Sequence, residues 1–167
     1  MLDFSIRENL ILEGYRTREF SRYGLLRNLT SRELAAKLIR DYDIRTPGPE
    51  VIAAALSGGN QQKVVVAREI ERQPKLLIVA QPTQGLDIGA IEFVHRQLLA
   101  ERHRGTAILL LSLELDEILA LADRIAVIYE GEIMGILSRA EATEETLGLM
   151  MTGGLTLQNK AKEATGR

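Results

Sequence analysis

One stretch of the sequence decides the fold: Leu56-Ser57-Gly58-Gly59-Asn60-Gln61-Gln62-Lys63. The serine and the two glycines precede a segment that predicts a helix over about residues 59–72, ending before Pro74. Glycines let a backbone approach a ligand closely, and a helix N-terminus offers free N–H groups and the positive end of a dipole. The combination suits a terminal phosphate, although Ser-Gly-Gly is also a good helix cap.

The segments around this stretch alternate between helices and strands. Capping boxes at Ser5 and Thr30 predict helices to about Leu12 and Tyr42, followed by a loop at 45–50. After the 59–72 helix, the apolar pattern predicts two buried parallel strands, a hairpin and three further helices. Their expected positions are 76–80 and 107–112 for the strands, 124–129 with 132–137 for the hairpin, and 89–103, 114–122 and 143–151 for the helices. This order is typical of an α/β fold with a partly parallel sheet.

The composition excludes several classes of protein. The 167 residues include no cysteine, which rules out disulfides and Cys-ligated zinc. No apolar run approaches the roughly 20 residues that a spanning helix needs, and residues 1–9 do not resemble a secretory signal. The net charge of −2 and the 4% aromatic content, with no dense basic stripe, disfavour nucleic-acid binding. We therefore expect a cytoplasmic protein that binds no nucleic acid.

Four ordered motifs carry a family resemblance. The string LSGGNQQKVVVAREI, residues 56–70, resembles the signature motif and helix of ABC-transporter ATPases. Residues 76–87, LLIVAQPTQGLD, resemble the Walker B strand and D-loop, while residues 109–112 and 123–127 resemble the two strands that follow. The resemblance extends to about Gly154. The sequence is similar in detail to the second ATPase domain of tandem-domain importers for simple sugars and nucleosides. This resemblance implies a P-loop-NTPase-like fold.

The phosphate loop of that family, G-x-x-x-x-G-K-[ST], is absent. By the resemblance, the first strands and this loop would precede Met1, so the chain is expected to be a partial ABC ATPase domain. We expect a helical-subdomain part at 1–56, the signature helix with the C-terminal core at 57–154, and a flexible tail at 155–167.

Three positions depart from the residues that the family uses for chemistry. The Walker B aspartate is replaced by Ala80, the following glutamate by Gln81 and the switch histidine by Leu113. Alanine offers no oxygen to magnesium, glutamine is not a general base near neutral pH, and leucine cannot hydrogen-bond a phosphate. We therefore expect no catalytic residue and no metal ligand at the chain's own site, and no ATP turnover by the chain alone.

The resemblance implies that the signature motif acts in trans. ATP with Mg²⁺ would be held mainly by a partner ATPase domain and would meet Ser57, Gly58, Gly59 and Gln61 of this chain, with Asp87 at the domain interface. Membrane permease subunits would be the other partners, which places the chain on the inner face of the cell membrane. The alternatives are a non-catalytic remnant or interaction module, and a soluble ABC ATPase of translation or DNA repair.

Two smaller features concern the histidines and the edges of the sheet. His95 and His103 lie on one predicted helix more than two turns apart, too far to ligate one metal as a pair, so solvated side chains are expected. A sheet that lacks its first strands would expose apolar edges and faces, which favours aggregation of the isolated chain.

Overall fold

The computed structural model describes residues 1–155 in two compact units, residues 1–109 and the residues from Leu110 onward. The tail predicted at 155–167 lies outside the described residues except for Leu155. The predicted limits at residues 56 and 154 stay predictions. No helix in the described part of the chain is long and apolar enough to cross a membrane.

The first unit begins with two helices. Helix α1 (Ile6–Ile11) opens on the predicted capping box, in which the Ser5 and Glu8 side chains bond each other's backbone N–H. Helix α2 (Asn28–Asp41) begins before the capping box predicted at Thr30, so that prediction is wrong. Ser31 instead lies fully buried inside the helix and donates to the Asn28 carbonyl at 3.0 Å. A short hairpin of β1 (Ser21–Arg22) and β2 (Leu25–Leu26), which the sequence analysis missed, precedes α2.

Two further helices carry the site. Helix α3 (Gly58–Glu71) follows a 3₁₀ turn at Ala53–Ala55, and helix α4 (Ile88–His103) follows the D-loop segment. Helix α3 contacts both α1 and α4. Each of the helices α1 to α4 contributes apolar side chains at helical spacing to the buried interior of the unit. These buried residues include Ile6, Leu10, Ala35, Leu38, Val64, Ala67, Ile70, Phe93, Val94 and Leu98.

Strands β3 (Leu76–Ala80) and β4 (Ala107–Leu111) form a two-stranded sheet close to their predicted bounds. The prediction that both strands are buried is wrong, because their side chains alternate between exposed and half-buried. Ile78 is 64% exposed and Leu109 is 53% exposed. An apolar sheet face is therefore open to solvent.

The second unit is built on an antiparallel hairpin. Helix α5 (Leu115–Leu121) precedes strands β5 (Arg124–Tyr129) and β6 (Glu132–Ser138), which pair with a register shift after Val127. Helix α6 (Glu144–Met151) begins at the predicted cap, where the Thr143 side chain accepts from the Thr146 N–H. The hairpin and α6 share a small apolar cluster formed by Ile125, Val127, Met134, Leu137, Ala142, Leu147 and Met150.

Candidate functional site

An open depression of about 490 Å³ lies in the first unit beside the N-termini of α3 and α4. It is polar, and charged side chains from three segments meet there: the loop after α2, the first turns of α3, and α4 with the residue that caps it. Three of the residues predicted to bind nucleotide or lie at the interface are in its lining. The lining consists of Asp41, Asp43, Arg45, Ser57, Gly59, Asn60, Lys63, Asp87, Gly89, Ala90, Phe93, Arg96 and Gln97.

Ser57 occupies the N-cap position of α3 but does not cap the helix with its side chain. Its backbone is extended, and its carbonyl accepts the first helical bond from the Gln61 N–H at 2.9 Å. The exposed hydroxyl oxygen instead accepts a hydrogen bond from the Asn60 side-chain amide at 2.9 Å. The helix therefore begins without the side-chain cap that usually satisfies an N-terminal N–H group.

The two glycines differ in what surrounds them. A Cβ added to Gly59 would lie 3.0 Å from the Ala90 Cβ and 3.6 Å from the Asp87 carboxylate, so a larger residue would crowd the contact between α3 and α4. A Cβ on Gly58 would meet only Leu86, at 4.0 Å. Packing within the described residues therefore explains Gly59 and leaves open space above Gly58.

Asp87 has a structural role in the fold of the site. It is the N-cap of α4, and its carboxylate accepts from the Ala90 N–H at 2.9 Å. The chain reaches it through a tight turn in which Gly85 has φ +72°, a conformation that favours glycine. Its prediction as an interface residue remains a prediction, and capping explains an aspartate at this position independently.

Gln61 points away from the depression and stabilises the segment that leads into the signature. Its side-chain amide donates to the carbonyls of Ala53 and Leu56 at 3.2 and 3.0 Å. These bonds hold the 3₁₀ turn against the start of α3. Contact of Gln61 with a nucleotide stays a prediction, and Gln61 and Gly58 are the two predicted binding residues that do not line the depression.

Lys63 joins α3 to the end of α2. Its ammonium group donates to the Asp43 carbonyl at 2.7 Å and to the Asp43 carboxylate at 3.0 Å, and it lies 4.9 Å from the centre of the Phe93 ring. Asp43 has φ +48°, so its carbonyl and side chain both reach the same ammonium. The hydrogen bond from Lys63 is the main reason that the pKa of the Asp43 carboxyl is lowered. The sequence analysis did not select Lys63.

The three positions at which the family's residues for ATP hydrolysis are replaced do not line the depression. Ala80 is exposed at the end of β3, and Gln81 follows it with φ +49°, a left-handed conformation that is costly for a residue other than glycine. Leu113 belongs to the second unit and is 73% exposed. Within residues 1–155, no three His, Asp or Glu side chains form a group that could hold a metal ion.

No family model matches the chain, whereas individual relatives match nearly all of it. It is 51% identical over 166 residues to the guanosine import ATP-binding protein NupO of Bacillus subtilis, covering 99% of the chain and 32% of that protein. It is 48% identical to the nucleoside import ATP-binding protein NupA of Lactococcus lactis, and 42% identical to a ribose import ATP-binding protein, RbsA, of the same species. Both matches cover 92% of the chain, and 30% and 31% of the respective relatives.

Solved structures agree on the fold. An inward-facing metal-chelate type ABC transporter superposes with a TM-score of 0.72 at 14% identity, over 90% of this chain and 59% of that one. A dimeric ATP-binding cassette bound to ADP and Pi superposes with a TM-score of 0.64 at 19% identity, over 83% and 58% of the two chains. The predicted α/β, ABC-ATPase-like partial fold is confirmed.

The sequence relationship and the fold together define an ABC-type ATP-binding cassette protein. The chain is a member of the ABC ATP-binding protein family, and the relatives that it matches are named as guanosine, nucleoside and ribose import ATP-binding proteins. It spans about a third of the length of the curated relatives that it matches.

Proposed function

We propose that this chain is part of the ATP-binding component of an ABC importer for nucleosides or simple sugars. Its signature turn would complete an ATP site whose phosphate loop lies on a partner ATPase domain. Guanosine, nucleoside and ribose importers are the functions named for its relatives. The observation that carries the proposal is the uncapped start of α3, where the Ser57 hydroxyl and the space above Gly58 face outward.

These residues suit a nucleotide phosphate. Backbone N–H groups at the start of a helix and a serine hydroxyl are donors that anionic oxygens accept, and the helix dipole favours negative charge at this end. The open space above Gly58 allows a phosphate to come close to the backbone. ATP, when bound there, supplies the phosphoanhydride bond whose hydrolysis drives transport. Ser57 and the first amides of α3 would hold its terminal phosphate in place.

The chain's own ATP site would be degenerate. Ala80 has no side-chain oxygen for Mg²⁺, Gln81 cannot accept a proton from water near neutral pH, and Leu113 offers no hydrogen bond. This chain alone would therefore not hydrolyse ATP. One composite site of the assembled transporter would turn over ATP, namely the site that this chain completes in trans. The dimeric cassette among the similar structures supports such a pairing.

The remaining partners follow from the same proposal. An import ATPase needs permease subunits that span the membrane, so the chain would sit peripherally on the inner membrane face. The alternative is a non-catalytic interaction module, which the substitutions at Ala80 and Gln81 favour for the isolated chain.

The test is ATP turnover by the assembled transporter that contains this chain. Ser57→Ala removes one donor to a charged acceptor, which costs about 10- to 100-fold in turnover. Ser21→Ala, in strand β1 and outside the lining of the depression, is the matched control and should leave turnover within about twofold. Unchanged turnover in Ser57→Ala would contradict the trans role of the signature, and phosphate release by the pure chain would contradict the degenerate site.

A further inference from the structure

Asn60 lies between the signature serine and the loop after α2, and its side chain bonds to both. The Arg45 backbone N–H donates to the Asn60 amide oxygen at 2.8 Å. The Asn60 amide nitrogen donates to the Ser57 hydroxyl oxygen at 2.9 Å. Sequence reasoning did not select Asn60 among the binding residues, but the structure places it in the lining of the depression.

The first of these bonds determines the orientation of the amide. A backbone N–H can only donate, so the atom of Asn60 that faces Arg45 must be the oxygen. The amide NH₂ group must then face Ser57. The assignment of oxygen and nitrogen in this side chain therefore follows from a neighbour with fixed chemistry.

The second bond determines what the serine can do. A serine hydroxyl has one proton to donate and two lone pairs to accept with. Because Asn60 donates to the oxygen, the Ser57 proton must point away from Asn60, and within residues 1–155 the hydroxyl makes no recorded hydrogen bond as a donor. The hydroxyl is thus held as a donor toward the open side of the depression, where Ser57 is exposed.

The loop that orients Asn60 is itself attached to α3 at a second point. Lys63, one helical turn further on, holds Asp43 through its carbonyl and its carboxylate. Two side chains on the same face of α3 therefore hold the backbone of residues 43–45. This double attachment prevents the Arg45 N–H from moving away from Asn60.

We infer that Asn60 is a positioning residue, which keeps the Ser57 hydroxyl pointing as a donor at the terminal phosphate of the ATP that a partner domain holds. The inference rests on the proposed trans function of the signature. It assigns to Asn60 an action through Ser57 rather than contact with the nucleotide. Its energetic effect must therefore disappear when Ser57 is absent.

A double-mutant cycle in the assembled transporter tests this dependence, with ATP turnover as the readout. Asn60→Asp is nearly isosteric and still accepts from Arg45, but an ionised carboxylate cannot donate to Ser57 and instead accepts its proton. We expect a loss of about 10- to 100-fold, similar to that of Ser57→Ala. Asn60→Leu removes the amide without adding charge and should cost about 3- to 10-fold, since the freed hydroxyl can still reach the phosphate in part of its rotamers.

The double variants show whether the effect of Asn60 depends on Ser57. In the Ser57→Ala background, Asn60→Leu should lower turnover by less than about twofold and Asn60→Asp by less than about threefold, because the group that they act through is gone. Gln62→Glu is the matched charge control, since Gln62 lies on the same helix and makes no side-chain hydrogen bond within residues 1–155. It should change turnover by less than about threefold.

The outcomes separate the inference from the proposal on which it rests. If Ser57→Ala leaves turnover unchanged, the trans function itself fails. If Ser57→Ala lowers turnover but Asn60→Leu lowers it by the same factor with and without Ser57, the positioning role of Asn60 is overturned and the trans function stands. Circular dichroism melts of the variants identify any loss of turnover that arises from unfolding. If an Asn60 variant melts at a lower temperature than wild type, Asn60→Ser takes its place in the cycle.

Discussion

Two neighbouring glycines of the signature turn should respond oppositely to the same added methyl group. In Gly58→Ala the new Cβ meets only Leu86 at 4.0 Å, an ordinary van der Waals contact. Replacing a helical glycine by alanine without strain stabilises a protein by about 0.4–1 kcal/mol, chiefly through the unfolded chain. In Gly59→Ala the new Cβ lies 3.0 Å from the Ala90 Cβ. Relieving that contact requires α3 and α4 to move apart, which costs about 1–3 kcal/mol.

The difference between the two variants follows from these figures. Gly58→Ala should be about 0.4–1 kcal/mol more stable than wild type. Gly59→Ala has the same stabilisation through the unfolded chain, but the crowded contact with Ala90 opposes it. Gly59→Ala should therefore be less stable than Gly58→Ala by about 1–3 kcal/mol. Urea unfolding of the full chain, followed by far-UV circular dichroism, measures both free energies of unfolding. Equal stabilities would refute the close approach at Gly59, and a clear loss in Gly58→Ala would refute the open space above Gly58.

The same pair separates folding from function. If a phosphate occupies the space above Gly58, the methyl group of Gly58→Ala displaces it, although the fold is intact. Displacing a bound reactant by an ångström can cost about 100-fold, so turnover by the assembled transporter should fall at least about tenfold. A stable Gly58→Ala variant with wild-type turnover would show that no ligand uses this space.

Three further changes test the surroundings of the site. Ile78→Lys should reduce aggregation in light scattering, because it places a charge on an exposed apolar strand face; a lowered urea midpoint would contradict that exposure. Lys63→Met should lower the free energy of unfolding by about 1–2 kcal/mol, and by more than Asp43→Asn, which keeps the carbonyl bond and the ring contact. Equal losses in urea titrations would refute this order. Hydrogen bonds from Ser5 lower the pKa of Glu8 below 4.5, so its carboxylate stabilises the folded chain above that pH, and the contribution is lost as the pH falls through the folded-state pKa. Glu8→Gln should therefore destabilise the chain near about pH 7 and progressively less as the pH falls through the folded-state pKa of Glu8, and a difference from wild type that does not change with pH would count against the capping box.

Local rules predicted most elements of the fold well. The capping box at Ser5 and the cap at Thr143 start helices where expected, because a side-chain oxygen three residues before a free N–H is a local interaction that the sequence fixes. The same rule failed at Thr30, where the chain enters α2 from a two-stranded hairpin whose short strands gave no periodic signal. The burial of β3 was also mispredicted, since an apolar run indicates a strand but not what covers it.

The order of motifs selected Ser57, Gly58, Gly59, Gln61 and Asp87, of which Ser57, Gly59 and Asp87 line the depression, and their contact with a nucleotide stays a prediction. Residue type alone did not reveal that the serine leaves the helix uncapped. The role of Asn60 depends on a backbone N–H that lies 15 residues earlier in the chain, which no spacing rule supplies. The residue types gave a weaker signal, since serine and asparagine side chains both readily form local hydrogen bonds.

The bond from Arg45 to Asn60 has a consequence for how this region exchanges protons with water. Arg45 is an exposed residue in a loop, and amides of such loops normally exchange quickly. Here the amide hydrogen is held by a side chain from the first turn of α3, so it can be replaced by deuterium only when that turn loosens. The exchange rate of the Arg45 amide would therefore report on the order of the signature turn. That rate would rise whenever Asn60 releases Arg45, even in the absence of nucleotide.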